Sequence, residues 1–312
     1  MIQTTNDVRE FIEEHDEPIY IYGAGNPGIW TGYYMNQCRI AFEGYLDKLC
    51  PLSEDYIVQI KEGRVYNPGI LKKYGKNRIR IIIAVLDING AIGDLHRIAQ
   101  ENELYCLTPF YETEKKGVIK YNINIMLSYF RSKLVKVKVP TIIANQCDAG
   151  LIYQFLGLPM MSPTINFGFY PEDYIKFCKN LKKYLELDMQ DDGYTITQGD
   201  FVFRGRIGDI SVIINHDNSI EEAIKRWNTL RKWVNYDNLI YIMSDTVFPI
   251  MPKEMREFME IEGKKLLILK DNKHFALKGE DNILSIAKDC FIIKDSACEN
   301  YFDILGWING EF

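Results

Sequence analysis

Short apolar runs alternate with amphipathic helical patterns through about the first 110 residues, and that alternation constrains the fold more than any other feature. The runs PIYIY (18–22), IAFEGYLDK (40–48), RIRIIIAVL (78–86) and LYCLTP (104–109) read as strands. Helical patterns follow from Pro27 and over DINGAIGDLHRIAQEN (87–102), with a turn and short helix at RVYNPGILKKYG (64–75). TTNDVREFIEEH (4–15) reads as a short amphipathic helix before the first strand. Strands separated by helices predict a parallel sheet, because a parallel pair needs a long crossover. The β-branched run RIRIIIAVL suits a strand buried on both faces.

The charged stretch YETEKKG (111–117) is the candidate boundary. It divides the chain into a small Rossmann-like parallel-sheet domain (1–115) and a larger three-layer α/β domain with some antiparallel strands (116–312). In the second domain YNINIMLSYFRSKLVK (121–136), DAGLIYQFLG (148–157), PEDYIKFCKNLKKYLEL (171–187) and SIEEAIKRWNTLRKWV (219–234) read as helices. The last opens on Ser-x-x-Glu, a capping box. PTIIANQ (140–146), FVFRGR (201–206), DISVIIN (209–215), NLIYIMSD (238–245) and KKLLILKD (264–271) read as strands, and the C-terminal 297–312 as a docked helix.

Hydrophobic residues make up 47% of the chain and charged residues 26%, enough apolar mass for a real core. A net charge of -6 argues against nucleic acid as a partner, which needs a field of Lys and Arg. No apolar run approaches the roughly 20 residues that span a bilayer, and the acidic start is no secretory signal. Seven dispersed cysteines (38, 50, 106, 147, 178, 290 and 298) form no C-x-x-C pair, which suggests reduced thiols and a cytoplasmic location. The histidines at 15, 96, 216 and 274 have no ligand spacing, so no metal is expected.

Gly23-Ala24-Gly25-Asn26-Pro27-Gly28 has the G-x-G-x-x-G spacing between a strand and a helix. In that context Gly23 permits a tight turn, Gly25 admits a pyrophosphate, and Gly28 lets the helix pack close. Helix-start N–H groups, Asn26 among them, face the anion. Asp47, at the end of the next strand, sits where a carboxylate binds ribose hydroxyls. A nucleotide, a nucleotide-sugar or NAD is the cofactor expected. The alternative is a bare turn in a domain that binds nothing.

In the second domain, polar residues follow predicted strands, the edge where α/β sheets bind ligands. Asn145, Gln146, Cys147 and Asp148 follow one strand. Cys147 near a helix start could be a nucleophile, although Asp148 would repel a thiolate. The rival reading makes Cys147 a buried filler and Asp148 a helix cap. Ser162, Thr164 and Asn166 lie in a Pro-fixed loop, able to bind sugar hydroxyls or to satisfy their own turn. Arg204 and Arg206 share a strand face and could clamp a phosphate, with Asp209 following; pairing among themselves is the alternative. His216 ends a strand beside Asp217 and is a candidate general base. Asp245 ends another strand and could bind a metal or a hydroxyl or cap the next helix, with no second acid close by to strengthen the metal reading. Lys225, Arg226, Arg231 and Lys232 beside Trp227 and Trp233 read as the solvated face of a helix whose tryptophans pack inward.

The segments NQCDAGLIY (145–153), LGLPMMSPTIN (156–166), GDI (208–210) and EEAIKRW (221–227) with NYDN (235–238) resemble a bacterial domain-of-unknown-function family, number 1919. Its members are often labelled exopolysaccharide biosynthesis proteins. The family pattern has Asn-Asn-Cys and a Gly pair where this chain has Asn145-Gln146-Cys147 and Ala149-Gly150, and His-Tyr where it has His216-Asp217. The resemblance implies a role in surface polysaccharide assembly.

Together these readings predict a cytoplasmic enzyme acting on a nucleotide-sugar or other phosphate-bearing sugar, most simply a transferase. Two alternatives stand: a non-catalytic nucleotide-binding module, and an NAD-dependent sugar oxidoreductase or epimerase. The last usually needs Tyr-x-x-x-Lys, which neither Tyr121 nor Tyr170 begins.

Overall fold

A computed structural model describes residues 1–51, 58–60, 63–98, 100–115, 118–197, 200–214, 216–270, 283–286 and 302–311. The chain divides into two compact units, the first running through Val135 and the second starting at Lys136.

The first unit contains β1 (Ile2–Thr5), α1 (Val8–Glu13), β2 (Ile19–Tyr22), α2 (Asn26–Gln37), β3 (Gly44–Leu46), β4 (Val58–Ile60), β5 (Gly63–Tyr66), β6 (Arg78–Ile83), α3 (Ile88–Ile98), β7 (Glu103–Leu107), β8 (Phe110–Lys115), β9 (Val118–Asn124) and α4 (Ile125–Leu134). Seven strands make one sheet in the order β1-β7-β6-β2-β3-β5-β4. All neighbours are parallel except β4, which runs antiparallel at the edge. β2 lies at the centre, and the chain goes to one side of it through β3 and then crosses to β6 on the other. That is a topological switch point, where doubly wound sheets open a crevice. Period-2 alternation sends Ile19 and Ile21 into one core with Phe11, Met35 and Phe130. Tyr20 and Tyr22 enter the opposite core with Leu71, Ala91 and Leu95. Both faces of β2 are therefore covered, which explains its unbroken apolar run.

The second unit contains β10 (Thr141–Ala144), α5 (Asp148–Leu156), β11 (Phe167–Gly168), α6 (Pro171–Lys179), α7 (Leu181–Leu185), β12 (Met189–Thr197), β13 (Asp200–Ile207), β14 (Ile210–Ile214), α8 (Ile220–Leu230), β15 (Leu239–Ser244), α9 (Pro252–Met259), β16 (Lys264–Lys270), β17 (Ile283–Ile286) and α10 (Ile304–Asn309). A parallel sheet has the order β10-β15-β16-β17, and an antiparallel one the order β11-β14-β13-β12. The Phe169 amide donates to the Asn145 carbonyl at 3.0 Å, joining the end of β10 to the chain leaving β11. The core packs Phe167, Phe169, Tyr174, Phe177 and Trp227 with Ile214 and Met243. Trp227 is buried and donates its indole N–H to the Leu187 carbonyl at 3.0 Å. Trp233 is exposed, against the expectation that both tryptophans turn inward.

Mixed α/β architecture with parallel and antiparallel sheets is what the sequence predicts. Several local expectations differ. The predicted helix 121–136 begins as strand, because Tyr121–Asn124 pair with β8 in a hairpin. The N-terminal residues before α1 form β1, and 63–66 forms a strand where a turn was expected. In both, pairing with a neighbouring strand overrides weak local propensity. Cys290, Cys298 and His274 lie outside the described residues. No helix among the described residues is long and apolar enough to cross a membrane.

Candidate functional site

The second unit brings together two residues that sequence treats separately. β10 is buried along its length, and Asn145 clamps its end. The Asn145 Oδ1 accepts from the Ser244 amide at 2.8 Å, and its Nδ2 donates to the Ser244 carbonyl at 2.9 Å. The chain then turns, and Cys147 becomes the N-cap residue of α5. Tyr153 on α5 donates its hydroxyl to the Pro140 carbonyl at 2.7 Å and accepts from the Ile142 amide at 2.9 Å, which fixes the helix on its strand. From β14 the chain delivers His216, whose Nε2 lies 3.2 Å from the Cys147 Sγ. His216 is exposed and Cys147 half-buried, so the pair can meet a solute.

Burial, and then the Asp148 carboxylate, push the Cys147 thiol up to about 11. At neutral pH the sulfur therefore keeps its proton, facing the imidazole. A thiol and an imidazole at this distance have the geometry that a nucleophile and its general base require. Asp148 is fully buried, and neither carboxylate oxygen finds a hydrogen-bond partner among the described residues. Burial pushes Asp148 up to about 6. The N-terminus of α5 has no side-chain cap, which corrects the reading of Asp148 as one. The Gln146 side-chain N–H₂ is also buried without a partner.

Asp217 does not orient His216. Its buried carboxylate takes the Arg226 guanidinium, with Nη1 to Oδ2 at 2.6 Å. Arg226 thereby leaves the solvated face to which its sequence pattern assigned it.

The other predicted residues fall in three groups. Asn145, Ser162 and Thr164 are fully buried and structural. The Thr164 hydroxyl accepts from the Ala144 amide at 3.0 Å and lies 3.0 Å from the Ser162 hydroxyl. They hold the loop rather than a sugar, because their polar atoms are already engaged. Asn166 is half-buried with φ +65, the left-handed region that Asn tolerates.

Arg204 and Arg206 correct the clamp reading. Arg204 is level with Ile213, on the sheet face opposite that of Phe203 and Ile214. Both guanidiniums pair with Asp192, across the hairpin. Asp209 pairs with Lys176 and accepts from the Tyr184 hydroxyl at 2.8 Å. Asp245 follows β15 half-buried, its amide donating to the Ile268 carbonyl at 3.1 Å. No group of three metal-binding side chains occurs among the described residues.

In the first unit the three glycines serve different ends. Gly23 has φ +107, and a Cβ there would stand 2.5 Å from Val85 Cγ1. A Cβ on Gly28 would stand 1.9 Å from the Gly23 carbonyl oxygen, so only glycine allows the turn and helix to approach. Gly25 meets nothing within 4 Å and starts α2 with no side-chain cap. Asp47 turns onto this loop: Oδ2 accepts from the Ala24 amide at 3.2 Å and Oδ1 from the Leu49 amide at 2.9 Å. A hollow of about 270 Å³ beside it is lined by Tyr22, Asp47, Lys48, Val85, Asp87 and Asp94, among others. Carboxylates thus outnumber the one lysine there.

The family model for a domain of unknown function, DUF1919, matches residues 115–309, well over half of the chain, and the chain belongs to that family. An uncharacterized protein of Haemophilus influenzae strain Rd is 23% identical over 197 residues, which cover 62% of this chain and 90% of that protein. The match to the family takes in Cys147 and His216 and leaves out the glycine loop.

Proposed function

We propose that this DUF1919 member is a group-transfer enzyme whose nucleophile is Cys147 and whose base is His216, acting on a sugar precursor of a surface polysaccharide. The observation that carries the reading is the 3.2 Å approach of Sγ to Nε2 between side chains from two strand ends. The sugar precursor rests on the family resemblance alone. For an acyl donor the steps balance as follows. The Cys147 sulfur attacks the carbonyl carbon while His216 Nε2 takes the thiol proton. The bond to the leaving oxygen breaks, and that oxygen leaves with the proton from the imidazolium. A sugar hydroxyl then attacks the thioester, His216 takes its proton, and the returning proton restores the thiol. Nucleotide binding at the glycine loop is a secondary proposal. The open position above Gly25 favours it, and the carboxylate on the Ala24 amide opposes it.

The test uses p-nitrophenyl acetate. One equivalent of p-nitrophenolate should be released in a burst, with the acetyl group found on Cys147 by mass spectrometry. Cys147→Ser should abolish the burst, and His216→Ala should slow it by about 100-fold or more. The acetyl group should leave the protein faster when UDP-sugars are added. Acetylation of Cys147 that is indifferent to His216 would overturn the reading.

A further inference from the structure

β12 forms an outer edge of the antiparallel sheet: among the described residues its ladder partner is β13, and no strand follows it in the sheet order. An edge strand offers a row of backbone N–H and C=O groups to any strand that can lie beside it, and proteins commonly blunt such edges with lysine, proline or a bulge. β12 reads MQDDGYTIT and has neither lysine nor proline. It does carry a bulge, where the register shifts between Asp191 and Tyr194 and Gly193 adopts φ +79. Beyond the bulge, Tyr194–Thr197 pairs regularly with β13. That stretch is uncharged and built of residue types that favour strands.

Its larger side chains are exposed on one face. Tyr194 is 65% exposed and Ile196 60%, while next to them on β13 Phe201 is 78% exposed and Phe203 half-buried. Phe203 lies opposite Tyr194 and Phe201 opposite Ile196, so all four share that face. The Tyr194 and Phe203 rings touch, with centroids 5.1 Å apart.

The order of these side chains selects the strand that suits the edge. Placed antiparallel to itself about a two-fold axis at Thr195, β12 sets Tyr194 opposite Ile196 of the second copy and Thr195 opposite Thr195 of the second copy. Aromatic–β-branched and Thr–Thr pairs are among those that stabilise antiparallel ladders. The apolar row of Phe203 and Tyr194 then continues across the axis as Ile196 and Phe201 of the second copy. A one-residue slip would turn the second copy's apolar side chains to the opposite face. Between Gly193 and Thr197 this pairing opposes no charged residue, in a chain whose net charge is -6.

We propose that β12 is a dimerisation strand: two copies of this chain join their antiparallel sheets edge to edge through Tyr194–Thr197, about a two-fold axis at Thr195. The contact is isologous, each copy giving the same segment. It buries roughly 450 Å² from each copy, which places it among weak, reversible associations. The dimer is independent of the Cys147–His216 reading.

The experiment is sedimentation velocity on the full chain over a concentration series. Half of the chain should be dimeric at roughly tens of micromolar. Tyr194→Lys and Ile196→Lys should each weaken dimerisation about tenfold or more, since each loses two cross-strand pairs per dimer. Both side chains are exposed, so the melting temperature at concentrations where the chain is monomeric should not move. Cysteine cross-linking reads the register. Directly opposed Cα atoms lie about 4.5–5.5 Å apart, within disulfide reach, so Thr195→Cys should give a dimer band on a non-reducing gel after mild oxidation. Thr197→Cys should not exceed the wild type, because the two copies of residue 197 lie about 14 Å apart. A wild type that stays monomeric throughout the series would overturn the proposal. A dimer that both lysine variants leave intact, or equal cross-linking by the two cysteine variants, would also overturn it.

Discussion

Replacing Asp148 by Asn tests the electrostatics of the candidate site without touching either reacting atom. The carboxyl is fully buried and is pushed up to about 6 from an ordinary value of 3.8, with burial the leading cause. A folded-state value above the unfolded one means that the native state binds the extra proton. Stability from this group is intact below pH 3.8 and is lost as pH rises through 6. Linkage makes the penalty about 1.6 kcal/mol at pH 5 and about 3 kcal/mol at pH 7.5. Asn removes the titration at nearly the same volume. The variant should therefore gain about 1.4 kcal/mol on the native chain between pH 5 and pH 7.5. Urea titrations at both pH values, followed by tryptophan fluorescence, would read this, since Trp227, Trp233 and Trp307 lie in the second unit. A second readout follows from the thiol, which Asp148 helps to push up to about 11. With the charge gone, the pH midpoint of Cys147 alkylation by iodoacetamide should fall by about one unit. A stability difference that is flat with pH, together with an unmoved alkylation midpoint, would refute the claim that an ionised carboxylate sits unpaired beside the sulfur.

Two further outcomes follow from particular contacts. Asn145→Ala should destabilise the protein by about 2–4 kcal/mol, because it strands the buried Ser244 amide and carbonyl; a change below about 1 kcal/mol in denaturant titration would show that the β10–β15 clamp is dispensable. Asp47→Asn should raise the affinity of UDP or NAD about tenfold in calorimetry, since it removes a negative charge from the Ala24 amide; a fall in affinity would instead mean that Asp47 holds a ribose.

The parallel sheet of the first unit was legible because each strand announces itself locally. Ile19–Tyr22 is apolar on both faces, Arg78–Ile83 is buried on both from Ile79 onward, and turn residues bound them. The glycines were legible for the same reason: a turn at positive φ and a close helix approach are properties of adjacent residues. The pairing of Cys147 with His216 was not legible, although each residue drew notice alone. It depends on β11, two residues long, which docks Phe167 and Gly168 against β14 and so carries the end of β14 to the end of β10. No periodicity can reveal a two-residue strand. The arginine clamp failed for a related reason. Arg204 and Arg206 do share a face, but which face depends on the partner strand, and Asp192 lay in a hairpin arm whose register is not written in either strand alone.

The position of Asp217 carries the argument about mechanism one step further. A carboxylate adjacent to a histidine suggests a three-membered relay, yet Arg226 on α8 already holds it. Binding a guanidinium satisfies the buried charge, and a carboxylate so engaged has little left to give an imidazole. His216 is therefore oriented by the thiol it faces rather than by Asp217. The thiol opposite is held protonated by burial and by Asp148. Held in its thiol form, the sulfur becomes a strong nucleophile only as its proton leaves during attack on an electrophile. A site with those properties spares its cysteine from indiscriminate alkylation. It also places the burden of rate on positioning the donor against the sulfur.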